Sequence, residues 1–294
     1  MQGKTRRQFL GELGLAAGAV AVSNLSCAAP PKGSIQEAID RIVFKMIGAP
    51  LAKTVDTVKI GDPRQPLKGI ATTFLATYEV IEKAAQEGVN FIITHEPVFY
   101  NHEDKTDWLK NDAVYQAKRD LCEKNGIVIW RCHDTIHSMR PDMIVTGMVN
   151  KLGWRPLQDT EMPLVFSLPE GTMGQLVEQL KGTFGAAAFK AVGKHDLKIS
   201  KVAVSVGAPG GRAQIQLMSN VQPDVLICGE IHEWEASEYV RDAIRTGNRP
   251  QALILLGHIY SEEAGMEAMT EWLKRLIPNQ PIYFYPVENP FKFL

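Results

Sequence analysis

The order of apolar runs and helix-like segments predicts an α/β protein of two packed lobes, each a mostly parallel or mixed sheet flanked by helices. Three observations carry that expectation. Runs rich in Val, Ile and Phe alternate with segments of helical character along the chain. Gly88 and Gly126 follow two of the helical segments and lead directly into apolar strands, as compact helix-to-strand connections require. Clusters of His and Glu come immediately after several strands, where open α/β sheets bind their ligands.

Taken in order, Gly69 to Ala76 reads as a strand, Tyr78 to Glu87 as a helix, Asn90 to Thr94 as a strand, Trp108 to Lys124 as a helix and Ile127 to Cys132 as a strand. Gly153 to Pro163 is richer in polar and turn residues and marks the junction between an N-terminal lobe, 34–158, and a C-terminal lobe, 159–294. The rhythm resumes with Lys201 to Val206, Ala213 to Ser219, Asp224 to Cys228, Trp234 to Arg245, Ala252 to Leu256 and Ser261 to Leu276.

Residues 1–33 are set apart from the fold. Arg6-Arg7-Gln8-Phe9-Leu10 followed by the small apolar run from Leu13 to Val22 has the charged start and short greasy middle of a twin-arginine-like export signal. About 20 apolar residues are needed to span a bilayer as a helix, and this run is shorter. Asn24-Leu25-Ser26-Cys27 allows a lipid anchor on Cys27, and ordinary cleavage after Ala28 is equally allowed. The expectation is a periplasmic protein or a membrane-anchored lipoprotein, with Pro30 to Gly33 as a tether.

A formal net charge of −1, with basic residues scattered, leaves no electrostatic footprint for nucleic acid. The remaining cysteines, Cys122, Cys132 and Cys228, have no C-x-x-C spacing, which excludes a thiolate zinc cage. Cys132 and Cys228 end apolar runs as small hydrophobes; a Cys122 to Cys132 bridge stays open for an oxidising compartment.

The chemistry concentrates in three places. His258 and Glu262 stand four residues apart and share one helix face, a ready pair of ligands. His95-Glu96 and His133 with His137 each follow an apolar strand. Convergence of these strand ends would assemble a metal site of nitrogen and oxygen donors, His95, Glu96, His137, His258 and Glu262, with His133 beside it and Asp134 orienting an imidazole. Such donors suit zinc, iron or manganese.

The order of Asp62-Pro63, Thr94-His95-Glu96-Pro97, His133 to His137, Gly257-His258 with Ser261-Glu262, and Asn289-Pro290-Phe291 resembles the Ngg-interacting factor three-like family of dinuclear metal-centre hexameric proteins, which includes GTP cyclohydrolase type 2 homologues. The resemblance covers nearly the whole chain after residue 33. In that family the first motif normally reads Thr-His-His-Pro, so Glu96 stands in place of a histidine. The next normally ends in aspartate, and the matching position is His137. The two departures offset each other, leaving three imidazoles and two carboxylates. The resemblance implies two divalent metal ions, a small-molecule substrate and a homo-oligomer, a hexamer in the family.

Two ions about 3.5 to 4 Å apart lower the pKa of a bridging water and stabilise charge on an attacked phosphoryl or carbonyl oxygen, so hydrolysis is the expected reaction. Glu262, Glu230, Glu233 and Asp134 are the candidates for moving protons. The loop Gly207-Ala208-Pro209-Gly210-Gly211-Arg212 follows a strand and opens a helix, a setting that attracts anions; Gly207, Gly210, Gly211 and Arg212, with His232, are the expected substrate contacts. A non-catalytic metal-binding ring or scaffold is the alternative reading.

Overall fold

A computed structural model describes residues 31–247 and 250–292, and residues 31–294 cluster as one compact unit. Two five-stranded mixed sheets organise it. The first contains β1 (Val58–Ile60), β2 (Ile70–Thr73), β3 (Phe91–Thr94), β4 (Val128–Arg131) and β10 (Ile282–Phe284), in the order β1-β4-β3-β2-β10. Only the edge strand β1 runs antiparallel. The second contains β5 (Val165–Thr172), β6 (Lys190–Val192), β7 (Lys198–Ser205), β8 (Val225–Cys228) and β9 (Ala252–Leu255), in the order β5-β7-β8-β9-β6. Its three central strands are parallel and both edges are antiparallel.

Central strands β2, β3, β4 and β8 are buried at every position, as expected where helices cover both faces of a parallel sheet. On one face of the first sheet, Ile35, Ile39 and Ile42 of helix α1 (Ile35–Ile47) and Met266, Met269 and Leu273 of helix α9 (His258–Leu276) pack on Ile70, Phe91 and Trp130. Helices α2 (Tyr78–Gln86) and α3 (Ala113–Asn125) close the other face through Val80, Ile81 and Cys122. Helices α5 (Met143–Leu152) and α6 (Met173–Phe184) cover one face of the second sheet, and α7 (Gly211–Val221) and α8 (Ala236–Thr246) the other. A single turn, α4 (Asp134–His137), joins β4 to α5.

Three differences from the sequence reading have local causes. The helix expected over Trp108 to Lys124 starts at Ala113, because the Asp112 side chain accepts from the Tyr115 N–H and caps it there. Helix α1 follows a Ser34 cap that accepts from the Glu37 N–H, a start signal that precedes any apolar strand. The chain also returns: β10 pairs in parallel with β2, and α9 packs on the first sheet, so the segment 258–284 is shared with the first lobe rather than confined to 159–294.

Where the lobes meet, α9 lies against α5 at a backbone-to-backbone approach. A Cβ on Gly147 would stand 2.5 Å from the Ala264 carbonyl oxygen, and one on Gly265 would stand 2.5 Å from the Ile144 Cα. This contact sets the position of the first two turns of α9, which carry His258 and Glu262. Gly265→Val is therefore expected to lower stability by about 3 kcal/mol or more, at or beyond the upper end of the overpacking range. Gly182→Ala in α6, where nothing lies within 4 Å of the added Cβ, is expected to be neutral or to gain about 0.4–1 kcal/mol. Chemical denaturation of the two variants checks the difference.

Candidate metal centre

The strands of the first sheet end in register, with Thr73 opposite Thr94 and Thr94 opposite Arg131, so the residues that follow β3 and β4 emerge side by side. After β3 the backbone keeps the ladder for two more residues: the His95 N–H donates to Thr73 O and the Glu96 N–H to Phe74 O. The buried Thr94 hydroxyl accepts from the Ala76 N–H and donates to Glu96 O. After β4, the Asp56 carboxylate accepts from the N–H groups of His133, Asp134 and Thr135 and fixes the start of α4. His95, Glu96, His133 and His137 are thereby gathered at one sheet edge.

Each of three imidazoles is anchored by its Nδ1. That of His95 lies 3.3 Å from Cys132 O, that of His133 2.9 Å from Asp134 Oδ1, and that of His137 2.9 Å from Asp142 Oδ2. An acceptor at Nδ1 draws a ring proton to that atom, so in the neutral imidazole Nε2 is the nitrogen left to ligate, the arrangement that metal-binding imidazoles generally show. The three rings pack together, His95 stacked on His133 at 4.8 Å and His137 set edgewise at 5.0 Å from both. Their ligand atoms lie within 4.8 Å of one another. His95 Nε2 is buried with no hydrogen-bond partner, although Glu262 Oε2 lies only 3.3 Å away.

Glu96 and Glu262 face these rings and form a second possible ligand group with His95, again within 4.8 Å. Glu262 comes from the buried side of α9, where Gly207 stands against it: a Cβ at position 207 would meet Glu262 Oε1 at 2.3 Å. The Ser261 hydroxyl accepts from the Gly207 N–H and ties the two segments together. His258, one turn before Glu262, places Nε2 2.9 Å from Glu262 Oε2 and 3.4 Å from Glu96 Oε1, while its Nδ1 lies 3.3 Å from Glu230 Oε1. The donors near one another thus number four imidazoles and two carboxylates, because His133 joins the expected set.

Glu96 is divided between two tasks. Its Oε2 lies 3.3 Å from the guanidinium of Arg131, a fully buried side chain that also donates to His95 O and His102 O. Its Oε1 points to His133 and His258. Removing one partner of a buried ion pair costs about 3–5 kcal/mol, so Arg131 is part of the frame as much as of the site. Asp104, 3.7 Å away on the other side, completes this buried charge network.

Burial by itself would raise the Glu96 carboxyl; the hydrogen bond from His258 and the charges of His95, His258 and His133 outweigh it and hold the group down to about 2. Glu262 is likewise held below the ordinary carboxylate range, against burial, by His258 and His95. Burial would lower His258, but Glu230, Glu262 and Glu96 push it up to about 12. In the absence of a metal, a proton on His258 therefore offsets the buried negative charge. A divalent ion would take over that role.

Several expected residues have other places. Asp134 accepts from the Thr54 hydroxyl, the Val55 N–H and His133, and these bonds hold it down to about 2 against burial; it orients an imidazole and is no proton donor. Glu233 is exposed and paired with Lys190. The anion cradle is already filled, since the Gly211 N–H at the start of α7 donates to Glu235 Oε2. His232 pairs with the same Glu235 and stacks on exposed Trp234. Gly210 is the cap residue of α7 and Arg212 is solvent-exposed. A cleft of about 1430 Å³ opens beside the cluster, bordered by Glu96, His258, Glu230, Tyr100 and Lys118; of the loop 207–212 only Ala208 reaches it. Gly207 serves the site from behind Glu262, while Gly210, Gly211, Arg212 and His232 do not line the cleft. Asp142 was missed, although Pro-Asp before an apolar run is a helix-start signal: its Oδ1 caps α5 while Oδ2 holds His137.

Residues 37–290 match the family model described as Duf34/NIF3 (NGG1p interacting factor 3). The chain is similar to the GTP cyclohydrolase 1 type 2 homolog of Clostridium acetobutylicum, 24% identical over 250 residues that cover 80% of this chain and 88% of the relative. It is similar also to the homolog of the same name from Chlamydia muridarum, 26% identical over 243 residues covering 80% and 90%. Among solved structures, the Bacillus cereus protein related to NIF3 superposes with a TM-score of 0.72 at 18% identity, covering 91% of this chain and all of that one (100%).

One set of expectations is corrected. The family match over 37–290 supports none of the signal-peptide, twin-arginine, lipoprotein and periplasm readings. Those readings rested on residues 1–30, Cys27 included, which lie outside the described residues. Among the described residues, no helix is long and apolar enough to cross a membrane.

Two outcomes are expected from this geometry. Asp142→Asn and Asp134→Asn each release one anchored imidazole and should lower metal affinity by about 10–100-fold, read by competition with a chromogenic chelator. For pH, the Glu96 contribution to stability is present above 4.5 and lost as pH falls toward about 2, and the His258 contribution is present below 6.5 and lost as pH rises toward about 12. The metal-free protein should therefore lose stability above pH 6.5. The increment given by a divalent ion should grow over the same interval, because the ion competes with the proton on His258. Thermal melts with chelator and with zinc or manganese would show diverging profiles; parallel ones would contradict the assignment.

Proposed function

Because this chain belongs to the Duf34/NIF3 (NGG1p interacting factor 3) family and gathers anchored imidazoles and buried carboxylates beside a cleft, we propose that it is a metal-dependent hydrolase with two divalent ions. The observation that carries the reading is the buried, partnerless Nε2 of His95, shared by two groups of donors. One group is His95, His133 and His137; the other is His95, Glu96 and Glu262, with His258 beside both carboxylates. Donors of this type, without thiolate, fit zinc, iron or manganese.

When bound, such ions supply Lewis acidity, lowering the pKa of water and polarising a phosphoryl or carbonyl oxygen. Asp134, Asp142 and Cys132 O keep the imidazoles in register, and Arg131 keeps one oxygen of Glu96 turned toward the donors. Glu230 borders the cleft with a side chain that is 58% exposed, and its Oε1 faces His258 Nδ1. It is held below its ordinary range chiefly by that histidine, so at neutral pH it is ionised, with Oε1 facing His258 and the carboxylate placed on the cleft to accept a proton. Phe74 and Ile231 line the same part of the cleft wall.

The substrate under this reading is a small molecule with a phosphoester or cyclic amide bond. The curated relatives carry the name GTP cyclohydrolase 1 type 2 homolog, which puts nucleotide-like rings on the panel. Self-association into a ring belongs to the same reading, and a sedimentation profile of a clean monomer would remove it.

The test begins with metal content by elemental analysis, followed by turnover on that panel. Glu230→Gln is expected to keep the metal while kcat falls by about 10²–10⁴-fold, the usual worth of a general acid or base. Glu262→Gln is expected to lose metal as well as turnover. Stoichiometric metal with no turnover on any substrate would favour a non-catalytic metal-binding protein instead.

A further inference from the structure

Lys118 is a buried cation that the metal centre does not use. It lies on α3, is 5% exposed, and borders the cleft. An ammonium has three N–H donors, and Lys118 Nζ spends one of them on Val98 O at 2.7 Å. Among the described residues no carboxylate forms an ion pair with it. Buried lysines are almost always paired, because an isolated ammonium out of water is expensive.

The nearby acids are committed elsewhere. Asp104 Oδ1 accepts from the N–H groups of Val98 and Phe99, and its Oδ2 lies 3.3 Å from Lys59 Nζ and 3.7 Å from the Arg131 guanidinium. Glu79 is close enough to be felt as a charge but forms no ion pair with Lys118, and the Cys122 thiol, pushed up to about 12 by burial, is neutral. What covers the amine instead is aromatic: the Tyr100 ring at 5.4 Å and the Phe99 ring at 5.9 Å. Burial pulls its pKa down to about 8, so the group remains mostly protonated at neutral pH and its charge lacks a full counterion.

Its distance from the metal centre suits a small molecule. Lys118 binds the carbonyl of Val98, two residues after Glu96, and two residues of extended chain reach at most about 7 Å. Glu96, Val98, Tyr100 and Lys118 border one continuous cleft.

The geometry points to Lys118 as the residue that binds an oxyanion group, phosphate or carboxylate, carried by the molecule whose reacting bond lies at the His and Glu cluster. This rests on the hydrolase reading for what lies at the other end, but the anion subsite can be tested without turnover. Full-length protein, with and without zinc, is acetylated under limiting reagent, and Lys118 is followed by mass spectrometry against exposed Lys105 and Lys110 as internal references.

Inorganic phosphate or acetate at about ten times its Kd is expected to slow labelling of Lys118 about tenfold, leaving the references unchanged, in both metal states. Protection by phosphate alone assigns a phosphoryl group, and protection by acetate alone a carboxylate. Lys118→Met, if folded with its metal content intact, is expected to bind neither probe at this subsite and to raise KM for an anionic substrate at least tenfold with little change in kcat. Protection that appears only when zinc is present would place the anion on the ions and overturn the proposal, as would no protection by either probe. Absence of turnover with protection retained would remove the hydrolase reading and leave the subsite standing.

Discussion

Glu96 and Glu262 bring two carboxylates into a buried junction between the two sheets, and the surrounding structure answers that charge. Alone, such a pair would neutralise itself by taking up protons. Here four imidazoles and the Arg131 guanidinium face it, and each contact that aims those groups has a further partner behind it. Asp142 shows how closely site and fold are joined: one oxygen begins helix α5 and the other sets the tautomer of His137. The site could not be loosened without loosening a helix cap, nor the cap without the ring.

The paired departures from the family pattern become intelligible in these terms. A carboxylate at position 96 needs a cation on the side away from the donors, and Arg131, ending the neighbouring strand, supplies it. A histidine at position 137 needs an acceptor at Nδ1, and Asp142 supplies that. Both compensating groups lie on elements already fixed by packing, β4 and the start of α5. Exchange of the two residue types thus preserves the balance of donors while moving the negative charge from the turn after β4 to the end of β3.

Much of this was legible in the sequence, and the illegible part has a common character. The convergence of His95, Glu96, His258 and Glu262 could be expected because strand ends and the i, i+4 helix face are local geometry. The alternation of elements likewise foretold two sheets with helices on both faces. His133 could not be told from a bystander, since its role depends on which ring nitrogen Asp134 occupies. The loop 207–212 had the composition of an anion cradle, and only the fold reveals that Glu235, 24 residues away, already accepts from its Gly211 N–H. Strand β10 has three residues and pairs at an edge, too short a signal to announce that the chain returns to its first sheet.

That return matters for the chemistry. His258 and Glu262 follow β9 of the second sheet but lie on a helix whose later turns pack against the first, so α9 is the member that holds both lobes to one register. The close approach of Gly147 to Gly265 and the Gly207 to Ser261 bond fix it at two points along its length. A shift of one lobe against the other would move Glu262 away from His95 while leaving Glu96 in place, splitting the donors into two incomplete groups. A metal bound across them would resist that shift, so its binding free energy would also hold the lobes together. Stability and metal occupancy would in this sense be coupled, with α9 as the element through which each would act on the other.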